Sequence, residues 1–355
     1  MIGPARGEFD AVPLVDISGL ASADLATRRS TALAIDRAAR TAGFFYVAHH
    51  GLSATVVTDL RDAAAQFFAL PDAVKLRYYI GLSRNHRGYV PPGEEAFYGQ
   101  TQSDTKEAFD LSLDLPPTDP DYVAGNRLLG PNVWPVEVER FRERVYAYYE
   151  AVVALGRRLC RGLLLALDLP EDHFDALTTK PPSQLRLIHY PPQPEAVDAP
   201  GIGAHTDYEC FTILHATAPG LEVMNAREAW VDAPPIDGAL VINIGDLFEV
   251  LSNGRWVSTV HRVRRVAQER YSFPLFYNLD YDAVVAPLPH LVARDGKRTH
   301  EPVHAGEHLW AQTVQSFSYL KRELALGTLS LPKGAHGLAS FARDRTGRTE
   351  RAGSS

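Results

Sequence analysis

Cysteine is scarce in this chain: two residues, Cys160 and Cys210, among 355. Neither belongs to a Cys-x-x-Cys pair, which argues against a disulfide-stapled scaffold and against a thiolate zinc site. Long apolar runs are missing too. The stretch 163–167 is among the longest, against the roughly 20 residues that a membrane-spanning helix needs. There is no basic surplus either: 36 Lys and Arg face 43 Asp and Glu, for a formal net charge of −7. Nucleic acid is therefore not the expected partner, because its readers carry an excess of positive charge. The opening MIGPARGEFDAVPLVD lacks the basic start and apolar run of a secretory signal, so a cytoplasmic location is expected. What is there is 45% hydrophobic and 22% charged, the proportions of a folded globular protein. At about 150 residues per domain the length suggests two domains, although a β-rich enzyme can carry it round one core.

The first 130 residues read as short strands alternating with helices. Residues 12–17 and 44–47 are apolar runs of strand length, the second stopped by His49-His50-Gly51. Residues 22–40 and 54–68 carry apolar side chains at helical spacing, with Ser22 a candidate N-cap. Residues 84–95, with Gly88, Pro91, Pro92 and Gly93, read as a loop, and loops of that length in compact domains are more often functional than idle. The longest amphipathic stretch is 136–169. Beyond it the period shortens to strands at 184–190, 210–215, 240–244, 256–264 and 271–278, with Asp295-Gly296 as a late hairpin turn. This pattern predicts a mainly β protein with flanking helices, built on a barrel or two-sheet jelly roll. The expected organisation is an N-terminal α/β region (1–130) packed on a catalytic core of long helix plus jelly roll (131–330), then a mobile polar tail (331–355).

Thirteen histidines make metal binding the natural question. Two His-x-Asp pairs occur. In PEDHFDAL the pair His173/Asp175 sits in a helical turn, where residues two apart diverge. In GIGAHTDYECFTILH, which reads as a strand, His205 and Asp207 share a face and can grip one cation. His261, in WVSTVHRVRR, offers a third ligand from another strand. Two histidines and a carboxylate leave coordination positions open, the arrangement of non-haem Fe(II) oxygenases, whereas a structural zinc would be closed by four protein ligands. In ERYSFPLFYN, Arg270 and Ser272 present a planar fork and a hydroxyl on one strand face, suited to a carboxylate. His300, His304 and His308 are spaced by four, but Pro302 and Gly306 argue against a continuous helix, and solvated loop histidines are expected.

These residues stand in an ordered series. Gly43-Phe44-Phe45, His50-Gly51, Phe67-Phe68-Ala69-Leu70-Pro71, Arg87-Gly88-Tyr89, Lys106-Glu107 and Gly130-Pro131-Asn132 come first; LRLIHYPP, HTD, WVDAPP, VINIGDLFEVLSNG, STVHRV and RYSF follow. Over about residues 12–325 the chain resembles the 2-oxoglutarate- and iron(II)-dependent dioxygenases of the isopenicillin N synthase-like family. The resemblance implies a double-stranded β-helix (jelly-roll) core with Fe(II), 2-oxoglutarate as co-substrate and dioxygen. His205, Asp207 and His261 resemble the iron ligands, and Arg270 and Ser272 the binders of the far carboxylate of 2-oxoglutarate. Tyr190 sits where the family often has a tyrosine reaching that carboxylate, and Tyr208 where some bacterial relatives bring a tyrosine to the co-substrate. Ile188 stands where plant relatives usually have Asn, so that contact is absent or replaced. Asn243 resembles a residue lining the site, although an Asn ahead of Gly245-Asp246 also suits a turn.

The implied reaction couples oxidative decarboxylation of 2-oxoglutarate to hydroxylation of a small molecule, with desaturation or ring closure open to a different substrate pose. A role in secondary metabolism goes with the resemblance. Two other readings stand beside it: an iron oxidase of the same family that uses no 2-oxoglutarate, and an inactive binding module on the same fold. Some bacterial relatives hold an amino-acid-like substrate with an Arg and a Glu, here Arg186 and Glu95. Phe97, Tyr98, Phe211 and Tyr277 are pocket candidates that core packing explains equally well.

Overall fold

The computed structural model describes residues 7–95, 106–192, 200–264 and 267–332. Four short strands come from the N-terminal third: β1 (Leu14–Asp16), β2 (Phe44–Ala48), β3 (Gly88–Val90) and β4 (Glu107–Leu111). Between them lie α1 (Leu25–Thr41), α2 (Ala54–Phe68) and the one-turn α3 (Asp72–Lys75); a further short helix, α4 (Pro120–Ala124), precedes α5 (Phe141–Ala166). Then come β5 (Gln184–Tyr190), β6 (Pro200–His205), β7 (Phe211–Ala216), β8 (Leu221–Met224), β9 (Trp230–Asp232) and β10 (Ala239–Ile244). After α6 (Asp246–Leu251) follow β11 (His261–Arg264), β12 (Arg270–Tyr277) and β13 (Val284–Val285). The chain continues through α7 (Pro289–Asp295), β14 (Val303–His304), α8 (Ala305–Ser316) and α9 (Ser318–Ala325).

An eight-stranded sheet runs in the order β1-β2-β10-β7-β12-β5-β4-β3, and a four-stranded one in the order β6-β11-β8-β9. Within both, every pairing is antiparallel except β1 with β2. Strand alternation assigns the two faces of the large sheet to two separate cores. Phe45, Val47, Leu185, Leu187, Ile213, Ile242 and Leu275 join the apolar faces of α1, α2 and α5. The intervening Phe44, Tyr46, Ile188, Tyr190 and Val241 join Ile202, Val223 and Val263 of the small sheet. The result is the expected jelly roll with flanking helices, and it is open: no sheet among the described residues closes into a barrel. The N-terminal region contributes β1 to β4 directly to the large sheet.

Several local expectations are corrected. Ser22 is not the cap of α1; Asp24 is, accepting from the amides of Ala26 and Thr27, while Ser22 Oγ accepts from the amide of Asp24. The long helix starts at Phe141 and not 136, because Arg140 takes a left-handed turn (φ 53°). Residues 256–260 are not strand. Trp256 donates its amide to Ser252 Oγ and its indole N–H to Asp36, and Ser258 donates its amide to Glu249, so side chains take the donors a ladder would use. Asp295-Gly296 ends α7 instead of turning a hairpin, with Gly296 at φ 69° as the C-cap. Of the expected tail, residues 333–355 lie outside the described residues, as do Phe97 and Tyr98.

Candidate metal centre

β6 and β11 are antiparallel neighbours in register at His205 and His261. The pairing brings the two imidazoles to 4.3 Å between ring centroids, and Phe44 packs edge-on against His261 at 5.1 Å. Each ring is oriented by the backbone two residues before it: His205 Nδ1 lies 2.8 Å from the Gly203 carbonyl and His261 Nδ1 3.1 Å from that of Thr259. A carbonyl can only accept, so each Nδ1 carries the proton and each Nε2 keeps its lone pair.

Asp207 reaches this pair by a route the sequence did not show. The HTD segment is not one strand: β6 ends at His205, and the chain turns through 206–210 before β7. Hydrogen bonds hold the turn. The Asp207 carbonyl accepts from the Asp246 amide (2.9 Å), and the Cys210 carbonyl accepts from Gly245 (2.9 Å). A Cβ on Gly245 would stand 2.2 Å from the Glu209 carbonyl oxygen, so only glycine permits this approach. Asp207 Oδ2 accepts from the Thr212 hydroxyl and from Asn243 Nδ2 (2.7 Å). Thr212 and Asn243 are themselves a cross-strand pair of β7 and β10. With Oδ2 committed, Oδ1 faces the histidines, 3.6 Å from Nε2 of each. All three ligand atoms lie within 4.8 Å of one another.

The electrostatics suit a cation. Burial pushes the His205 imidazole down to about 4, with His261 adding to the effect. Burial alone would raise the Asp207 carboxyl. The two imidazoles and the bonds from Thr212 and Asn243 outweigh it and hold the group below its ordinary value. The site thus offers one carboxylate oxygen and two imidazole nitrogens, and the donor set fits ferrous iron.

Arg270 and Tyr190 are cross-strand partners, and the Tyr190 ring lies under the guanidinium at 4.6 Å. Arg270 is 1% exposed; its Nε donates to the Ala218 carbonyl (3.1 Å), while Nη1 is buried with no hydrogen-bond partner. An unsatisfied buried guanidinium N–H is costly, and a bound carboxylate would satisfy it. Ser272, on the same strand face, is also buried and pairs across with Ile188, which offers no polar contact. Tyr208 turns elsewhere: its hydroxyl bonds to Ser316 of α8, and its ring meets His308 edge-on.

Arg186 and Glu95 are brought together, but onto each other. Arg186 Nη1 contacts both Glu95 oxygens at 2.9 Å, and its Nε and Nη2 take the Asp110 carboxylate at 2.7 and 2.8 Å. Lys106 closes the buried quartet on Glu95. The direct substrate fork expected of Arg186 is therefore already committed. The Glu95 charge is nonetheless felt at His205. Phe211 and Tyr277 stack at 4.8 Å within the core under α5. Asp175 of the discarded His173/Asp175 pair bonds Arg161. The loop expected around 300–308 is corrected: α8 starts at Ala305, with His304 as its cap and Gly306 in its first turn pressed against Tyr281. His308 is consequently 1% exposed, not solvated.

Comparison with known proteins agrees with this geometry. The N-terminal family of non-haem dioxygenases in morphine synthesis matches residues 12–137, and the 2OG-Fe(II) oxygenase superfamily matches 181–279. A 2-oxoglutarate-Fe(II) type oxidoreductase of Emericella nidulans is 32% identical over 327 residues, covering 89% of this chain and 94% of the relative. A rice homoarginine-6-hydroxylase is 35% identical over 327 residues, covering 87% and 98%. A Neurospora crassa protein solved with alpha-KG (2-oxoglutarate) and thymine superposes with a TM-score of 0.74 at 26% identity, covering 91% of this chain and 99% of that one. The chain belongs to the 2-oxoglutarate- and iron(II)-dependent oxygenases, and its reaction is an oxygenation coupled to 2-oxoglutarate.

Proposed function

We propose that His205, Asp207 and His261 hold the ferrous ion, and that Arg270 and Ser272, backed by Tyr190, hold the far carboxylate of 2-oxoglutarate. The observation that carries this reading is the convergence of Oδ1 and two Nε2 atoms within 4.8 Å, each with its companion atom already hydrogen-bonded. Bound iron supplies the redox chemistry by which 2-oxoglutarate and dioxygen give succinate, carbon dioxide and an oxygenated product. The chain's own residues do the rest. Three protein ligands on one side leave room for co-substrate and dioxygen. The Gly203 and Thr259 carbonyls keep both imidazoles in the binding tautomer. The Arg270 fork fixes the co-substrate's direction, and Tyr190 and Ile188 keep water from it. Tyr208 belongs to the wall of this site and not to the co-substrate, since its hydroxyl is held by Ser316.

Replacing His205, Asp207 or His261 singly with Ala is expected to remove stoichiometric iron from the purified chain while its melting transition persists. A His261→Ala protein that retained full iron and turnover would contradict the assignment.

For the substrate, the same reading takes a small polar molecule, amino-acid-like in its charge. The support is the ionised wall beside His205, where Lys106 and Arg186 hold the Glu95 carboxyl well below its ordinary value against the effect of burial. The rice relative is named for homoarginine and the Neurospora structure holds thymine, both small and polar. Screening polar and apolar compounds for succinate release tests this; turnover of apolar compounds alone would overturn it. A cytoplasmic setting and a part in secondary metabolism complete the proposal, supported by two unpaired buried thiols and by fungal relatives. No helix among the described residues is long and apolar enough to cross a membrane.

A further inference from the structure

Helix α8 grips the segment that presents Asp207 at two points. His308 Nε2 lies 3.2 Å from Asp246 Oδ2, and both residues are 1% exposed. Asp246 opens α6, and its backbone N–H is the donor to the Asp207 carbonyl at 2.9 Å. Ser258 donates its hydroxyl to that same carbonyl at 3.4 Å. Farther along α8, Ser316 bonds to the hydroxyl of Tyr208, the residue after Asp207. The His308 and Tyr208 rings meet edge-on between the two contacts, 6.2 Å apart.

We propose that His308 is a positioning residue for the metal centre, holding the Asp246 carboxylate so that the Asp246 amide fixes the carbonyl, and with it the carboxylate direction, of Asp207. The inference rests on the reading of His205, Asp207 and His261 as the iron ligands. Its physical basis is the cost of an unpaired buried carboxylate. Asp246 sits deep in the fold with the Glu249 carboxyl as a neighbour, and His308 is the side chain that reaches it from α8. Without the His308–Asp246 contact the start of α6 loses its tie to α8, and the amide on the Asp207 carbonyl is free to move with it. Ligand atoms tolerate only about 0.5 Å of such displacement. The groups that orient a metal ligand commonly carry 10- to 100-fold of the metal's affinity.

The test is anaerobic Fe(II) titration of the full chain, wild type against four variants, with the melting temperature of each recorded. His308→Leu is expected to weaken iron binding 10- to 100-fold. His308→Gln, whose amide N–H can reach Asp246, should stay within about threefold of wild type on the same scale. Asp246→Ala keeps the amide that Asp207 uses and removes only the carboxylate that His308 holds; it should weaken binding as His308→Leu does. If His308→Leu does not fold, Asp246→Ala decides alone. Wild-type iron affinity in folded His308→Leu or Asp246→Ala would overturn the proposal, as would a His308→Gln chain as weak as His308→Leu. Asp207→Ala separates the two levels of argument: if it binds iron like wild type, the ligand assignment itself fails. If it loses iron while His308→Leu and Asp246→Ala do not, only the role of His308 fails.

Discussion

At the scale of single residues, the metal centre is the set of three ligand atoms left over once the companion atom on each side chain has taken a hydrogen bond. Asp207 Oδ1 points at the histidines because Thr212 and Asn243 occupy Oδ2. Removing one of them leaves the carboxylate free to rotate. Thr212→Val, which keeps the side-chain shape, should weaken Fe(II) binding about tenfold with little change in melting temperature. Unchanged iron affinity would show that Asn243 suffices. Thr212 was not found by sequence reasoning, yet a signal existed: FTIL and VINI each carry one polar residue in an apolar strand, and those two residues face each other across the β7–β10 ladder. The triad itself was legible because His205, Asp207 and His261 stand in an ordered series of motifs; His-x-Asp spacing alone is not specific, as His173 and Asp175 show. The turn at 206–210 was not legible, because Gly245, Asp246 and Leu247 enforce it from afar in sequence.

At the scale of elements, the buried quartet of Glu95, Arg186, Lys106 and Asp110 fastens the loop at Glu95 to β4 and β5. That loop in turn docks the C-terminal helices: the Ser318 amide donates to the Glu94 carbonyl (2.8 Å) and the Tyr319 amide to the Glu94 carboxylate (2.7 Å). Arg186 and Lys106 hold the Glu95 carboxyl well below its ordinary value despite burial. A carboxyl depressed in the folded state stabilises above its unfolded value, near 4.3, and that contribution fades as pH falls toward the folded value. Wild type should therefore melt higher than Glu95→Gln at pH 7, and the gap should narrow below about pH 4. Melting curves at pH 7, 5 and 3 check this; a gap constant across that range would contradict it. Helix and strand positions were largely readable from periodicity, as 54–68 and 184–190 illustrate. Readings failed where a side chain replaced a backbone partner, as Ser252 and Glu249 do for 256–260, or where a glycine marked close packing instead of a helix end, as Gly306 does in α8.

At the scale of the whole molecule, two sheets pack face to face and the helices support them. The large sheet turns one face to α1, α2 and α5 and the other to the small sheet. The strands that carry His205 and His261, β6 and β11, lie side by side in the small sheet, whereas Arg270, Ser272 and Tyr190 lie in the large one. The two halves of the proposed site thus come from opposite walls, and the co-substrate would bridge them. The most direct test of that arrangement is an anaerobic titration of 2-oxoglutarate into the Fe(II)-loaded chain, wild type against Arg270→Leu. Removing one partner of a buried charge pair costs roughly 2–5 kcal/mol. The account predicts one 2-oxoglutarate per chain for wild type, and for Arg270→Leu an affinity at least about tenfold weaker with iron affinity unchanged. Equal 2-oxoglutarate affinity in the two proteins would contradict it.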